Sequence, residues 1–168
     1  MSGSNSEMER VEASWKDLAE LVDQLQDAGG LSRTGRDGWT VKDHLVHVGA
    51  WDHSLLGLIE GRNRLEAMGV HGQADQDTDA INEAVRKLHE SDTADEALGY
   101  FRESHLLLTA ALGKLSDADL QKPYSHYQPS DPAQMRPVVD WVAGNTYEHY
   151  AEHIGWINHL INESSAAR

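Results

Sequence analysis

His149 and His153, in the stretch NTYEHYAEHIGWI, are the residues whose type and spacing best suit chemistry. Four apart on a helix, their side chains project the same way with Cβ atoms about 5–6 Å apart, the bite a divalent metal needs from two imidazoles. Two neutral imidazoles packed side by side in a core otherwise each bring a polar nitrogen that must find a partner. The competing reading is a pair of separately hydrogen-bonded core histidines, or a helix rotated so that one ring is solvated. HxxxH pairs arise by chance in a chain with ten histidines. A metal site also needs a third ligand from elsewhere in the chain.

The element that must carry the pair runs from Pro137 to Asn162. Helical spacing from Val138 puts Val142, Asn145, His149, His153, Trp156 and Leu160 on one side, and Pro137 suits a first helical turn. A facing helix is predicted from Thr40 to about Arg64, with Thr40 and Asp43 as a variant capping box. Its apolar stripe is Val41, Leu45, Val48, Trp51, Leu55, Leu58 and Ile59. His44 falls inside that stripe, His47 on its edge beside Trp51, and His53 on the solvated side. Spacing slightly favours His44 as the inward ring, but an edge position can face a neighbouring helix, so both stay open as the third ligand. Trp51 and Trp156 either wall an apolar pocket or fill the core. Asp52, Glu148 and Glu152 either orient an imidazole by accepting its free N–H or are solvated.

Elsewhere the pattern predicts a first helix from about Ser6 to Gly29–Gly30, after a disordered start over residues 1–5. A polar, glycine-bearing crossover over 66–77 leads to a long third helix from Thr78 to Leu115, broken near Ser91 and Asp92. Ser116 to Leu120 is a capped single turn. The segment 123–136 holds three of the four prolines and reads as an irregular loop, whose Tyr124, His126 and Tyr127 either cover the bundle end as a lid or plug the edge of the core. His71, His89, His105, His126 and His159 are assigned by default to surface or loop positions. With no strand pattern, the fold class is all-α: a four-helix bundle spanning 1–168 as one domain.

Twenty-eight acidic against fourteen basic residues give a formal charge of −14, which opposes nucleic acid and anionic membranes as partners. Arg62 and Arg64 are the nearest thing to a basic patch and read as complements to a helix end. The absence of cysteine excludes disulfides, thiolate ligands and a cysteine nucleophile. No run of eighteen apolar residues and no signal-peptide pattern appears, so a cytoplasmic setting is expected.

The segments GWTVKDHLVHVGAWD (38–52) and NTYEHYAEHIGWI (145–157) resemble the DinB/YfiT-like superfamily of metalloenzymes. In that family a tryptophan and a hydroxyl residue open the second helix, a histidine eight positions after the tryptophan is a metal ligand, and an HxxxH pair on the last helix supplies the other two. Carried onto this chain, the resemblance implies His47, His149 and His153 as ligands and so chooses His47 over His44. It further implies an up-down-down-up bundle, often a homodimer, that holds zinc, nickel or a similar divalent ion with positions open to water or a small-molecule substrate. Relatives include transferases and isomerases that use a low-molecular-weight thiol, and the ClbS/DfsB group of self-protecting hydrolases, which the WTVKD and AWD segments resemble. The implied function is detoxification or self-resistance by a metal-dependent transferase or hydrolase. The alternative is a non-catalytic bundle that sequesters a small molecule, with a structural metal or none.

Overall fold

The computed structural model describes residues 3–72 and 77–166, with side chains described over 6–72 and 77–163. It is helical, with no strand among the described residues beyond two isolated bridges, Thr34 with Thr40 and Pro123 with Pro137. Four long segments dominate: α1 (Gly3–Asp27), α2 (Val41–Ile59), α5 (Ala94–Leu112), and the pair α8 (Val138–Asn145) and α9 (Tyr147–Ala166). Shorter helices fill the connections: α3 (Arg64–Ala67), α4 (Thr78–Leu88), α6 (Asp117–Leu120) and α7 (Tyr124–Tyr127). No helix among the described residues is long and apolar enough to cross a membrane.

Helix starts follow the capping residues. Thr40, Thr93 and Ser116 each form a full capping box with Asp43, Glu96 and Asp119, so the first N–H groups of α2, α5 and α6 have side-chain acceptors. The Thr93 box makes the expected break in the third helix a complete stop, giving α4 and α5 as separate helices. Helix α2 ends at Ile59 rather than at Arg64, because Gly61 turns the chain at φ 68° and Asn63 caps a new turn. Helix α1 starts at Gly3, inside the stretch expected to be disordered, of which Met1 and Ser2 lie outside the described residues; so do residues 73–76 of the expected 66–77 crossover. The 123–136 segment contains the single turn α7. Its Tyr124 ring packs on Trp141 at 4.7 Å and the Tyr127 hydroxyl donates to the Asp119 carbonyl at 3.0 Å, which is the plug arrangement.

The Pro137–Asn162 helix is broken at Thr146, whose backbone stands at φ −120°, ψ −103°. Gly144, two residues before the break, weakens the helix end. Side chains also compete for its last carbonyls: the Thr146 hydroxyl donates to the Val142 carbonyl at 2.6 Å, and the Asn145 amide to the Trp141 carbonyl at 2.8 Å. Pro137 sits just before α8 as its N-cap residue. The break leaves His149 in the first turn of α9.

Apolar stripes from all four segments meet in one core that includes Leu18, Leu45, Leu55, Phe101, Leu108, Tyr150 and Ile157. Helix α2 packs most extensively on α5, α1 on α9, and α2 also meets α8 and α9. At Gly49 the α2–α5 approach is so close that an added Cβ would stand 2.8 Å from the Tyr100 ring. A second, smaller cluster of Ala50, Met68, Val70 and Val85 fastens α4 to the outer side of α2.

A polar chain runs through this core. The Tyr150 hydroxyl of α9 donates to Asp52 Oδ1 of α2 at 2.8 Å, and His105 Nδ1 of α5 stands 3.4 Å from the same hydroxyl. His105 is buried, contrary to its assignment to the surface: it stacks on Trp15 with ring centroids 3.8 Å apart, and its Nε2 is 3.7 Å from Glu12 of α1. Burial pushes the Asp52 carboxyl well above the usual carboxylate range, against the hydrogen bonds from Tyr150 and Ser104, and lowers His105 to about 4. Removing the Tyr150 hydroxyl leaves the buried carboxyl with only the long 3.5 Å contact from Ser104, so Tyr150→Phe is expected to cost about 1–3 kcal/mol in urea denaturation. His105 is harder to protonate folded than unfolded, so its contribution is intact above pH 6.5 and is lost as pH falls toward 4. Stability measured across that window in His105→Gln should lack a slope of up to about 1.4 kcal/mol per pH unit that the parent shows.

Candidate metal centre

Helix α2 presents His44 and His47 toward α9, which presents His149 and His153 back. His47 Nε2 lies 3.1 Å from His149 Nε2, and His149 Nε2 lies 3.1 Å from His153 Nε2. The three ring nitrogens fall within 4.8 Å of one another and form a group that could hold a metal ion. Ligands at about 2.0–2.1 Å from a common ion stand roughly 2.9 Å apart at right angles and 3.4 Å apart at the tetrahedral angle. The two measured separations lie between these limits.

The donor chemistry fits an ion better than it fits three mutual hydrogen bonds. A neutral imidazole has one N–H and one lone pair in its ring plane. His149 Nε2 is shared by two rings, and whichever role it takes it can serve only one of them well. A cation at the focus accepts all three lone pairs and leaves every Nδ1 as the donor. Burial keeps the rings neutral, as ligation requires. His47 falls to about 3 through desolvation, reinforced by the neighbouring His149 and His44; desolvation takes His149 to about 4; His153, 1 % exposed, is driven well below its ordinary value by desolvation first and the other histidines second.

His44 is placed against the centre rather than in it. Its Nδ1 is 3.0 Å from His153 Nδ1, so with the His153 Nε2 lone pair on the focus, His153 Nδ1–H donates to His44. This fixes the tilt of the His153 ring. His47 Nδ1 and His149 Nδ1 are buried and have no hydrogen-bond partner among the described residues. Asp52, Glu148 and Glu152 therefore do not orient an imidazole here. Asp52 is fully buried in the polar chain behind α2, while Glu148 and Glu152 are exposed on the pocket wall.

The focus opens into a cavity of about 970 Å³. Trp51 and Trp156 line it, and Trp51 also packs against the smaller core cluster of Ala50, Met68, Val70 and Val85. Trp156 is 50 % exposed with its ring 4.8 Å from that of His153, and Trp51 donates its indole N–H to Asn82 at 3.1 Å. Two further walls escape a reading along the chain: Trp39, with its ring 5.6 Å from His47, and Trp141 on α8. Their signal was only that they are tryptophans near the ends of the two ligand-bearing segments. Of the other histidines, His53 is half-buried against Tyr100, His89 bonds Asp92 at 2.6 Å, and His71, His126 and His159 are exposed.

A family model described as the DinB superfamily matches residues 10–157, a span that includes all three converging histidines. No curated protein and no solved structure gave a match.

Elemental analysis of protein purified without a histidine tag is expected to find one divalent ion per chain. His47→Ala should lose it while circular dichroism shows helicity kept, whereas His44→Ala should retain the ion with affinity lowered about 10–100-fold. Full retention in His47→Ala would move the third ligand elsewhere.

Proposed function

Since the chain belongs to the DinB superfamily, we propose that it is a divalent-metal-dependent enzyme acting on a small molecule held in the tryptophan-lined cavity. The observation that carries this reading is the convergence of three neutral Nε2 atoms at the floor of an open cavity. Three imidazoles leave coordination positions free, as catalytic sites do, whereas structural sites are closed by four protein ligands. Zinc and nickel are the ions proposed, since imidazole suits both. When bound, such an ion supplies Lewis acidity, lowering the pKa of a water or thiol that enters its coordination sphere.

The chain's own groups do the rest. His47, His149 and His153 fix the position of the ion, and His44 holds the His153 ring by taking its Nδ1–H. Trp39, Trp51 and Trp156 line the cavity beside these histidines and would offer flat apolar faces to a ligand. The chain has no cysteine, so a thiol nucleophile must arrive as a co-substrate. Thiol-dependent transfer or isomerisation, or hydrolysis, applied to a reactive small molecule in a detoxifying or self-protecting role, is the activity proposed.

The cobalt-substituted protein tests whether a position is open. Titration with 2-mercaptoethanol should shift the visible absorption and add a sulfur charge-transfer band. An unchanged spectrum would assign the ion a structural role and leave a helical container for small molecules.

A further inference from the structure

Three arginines line the cavity: Arg36, Arg64 and Arg136. Arg36 is paired with Glu163 at 3.4 Å and Arg136 with Asp140 at 3.3 Å. Arg64 has no carboxylate partner among the described residues, yet it is held in place. Its Nε donates to the buried Ser54 hydroxyl at 3.0 Å, and its guanidinium carbon lies 4.9 Å over the Trp141 ring. The same carbon also lies 6.0 Å over the Tyr124 ring, and the one hydrogen bond uses only Nε. Both terminal nitrogens are left without an acceptor in the described structure. The buried Trp141 indole Nε1 lacks one as well. Arg64 sits beyond the Gly61 turn that ends α2, so the fold brings it back over the cavity instead of leaving it on the helix end.

A half-buried guanidinium that is oriented, stacked and unpaired is a fork prepared for an oxyanion. The geometry points to a carboxylate-bearing ligand: we propose that Arg64 grips the carboxylate of the small molecule that this cavity takes, with the body of the ligand along Trp141 and Trp51 toward His47 and His149. A planar carboxylate matches the fork with two parallel bonds. At this end of the cavity a phosphate dianion carries a second charge that Arg64 alone does not balance, and the nearby Arg136 is already paired with Asp140 at 3.3 Å. Glu148 and Glu152 also line the cavity but are exposed, so salt screens their repulsion while the contact at Arg64 is screened less. The inference rests on the cavity being a small-molecule site and is independent of the metal.

The test follows the indole N–H signals of the full-length protein by NMR during titration with benzoate, phenyl phosphate and benzyl alcohol. It is run on the parent, on His149→Ala, which weakens the metal centre, and on Arg64→Gln and Arg64→Lys. Benzoate should shift an indole signal in the parent and in His149→Ala alike, benzyl alcohol should bind at least about tenfold more weakly, and Arg64→Gln should lose roughly tenfold or more in benzoate affinity. Arg64→Lys should recover only part of that loss. Equal benzoate binding in Arg64→Gln and the parent overturns the proposal, as does tighter binding of phenyl phosphate than benzoate, or no shift at millimolar benzoate. Benzoate binding that disappears in His149→Ala places the anion on the metal centre and also overturns it, while leaving the metal reading intact.

Discussion

The hydrogen bond from Tyr150 to Asp52 is the constraint from which the rest of the molecule takes its register. It joins α9 to α2, the two helices that supply the converging imidazoles, five residues from His47 on one side and next to His149 on the other. In a dry core this bond has no water to exchange with, and either partner left alone costs more than the pair contributes. A slide of one helix by a residue would break it and carry the Nε2 atoms apart. His105 extends the same polar line into α5, and its Nε2 stands 3.7 Å from the Glu12 carboxylate of α1, too far for a hydrogen bond.

Given that register, the metal centre follows from burial and crowding. Four histidines from two helices occupy a space with too few acceptors for their protons, and desolvation holds them neutral. The crowding is resolved asymmetrically: three rings aim Nε2 at one point, and the fourth, His44, stands behind His153. Trp39 packs against both His44 and His47, and Trp156 against His153, so the rings are bracketed by flat apolar surfaces instead of by carboxylates. The cavity is thus divided into a polar half, whose imidazoles could hold an ion, and an apolar half of tryptophan faces.

Much of this was legible along the chain because the signals were local. The Thr40–Asp43 box, the apolar stripe of α2 and the i,i+4 spacing of His149 and His153 each depend on neighbours within one or two turns. The stripe even favoured His44, and the structure puts both His44 and His47 inward in different roles, a distinction that depends on α9. The break at Thr146 was hidden because Gly144 alone is a weak stop signal inside an otherwise periodic helix, and the two side chains that bend back to carbonyls there leave no mark in the spacing. His105 fell in register with Phe101 and Leu108, so the spacing already implied burial, and only its residue type argued otherwise. Arg64 and Trp141 meet across 77 positions of chain, and nothing near either one announces the other.

Because two of the three converging nitrogens come from one helical turn, the centre is partly a local device. A segment carrying His149 and His153 can chelate an ion whenever that single turn is helical, even with the remainder of the bundle undone. An ion with some affinity for the unfolded chain stabilises the native state only by the difference between the two affinities. With an ion at the centre, the share that acts as a tertiary clasp would be the share contributed by His47, and metal supply and the cohesion of the bundle would be coupled through that one ligand.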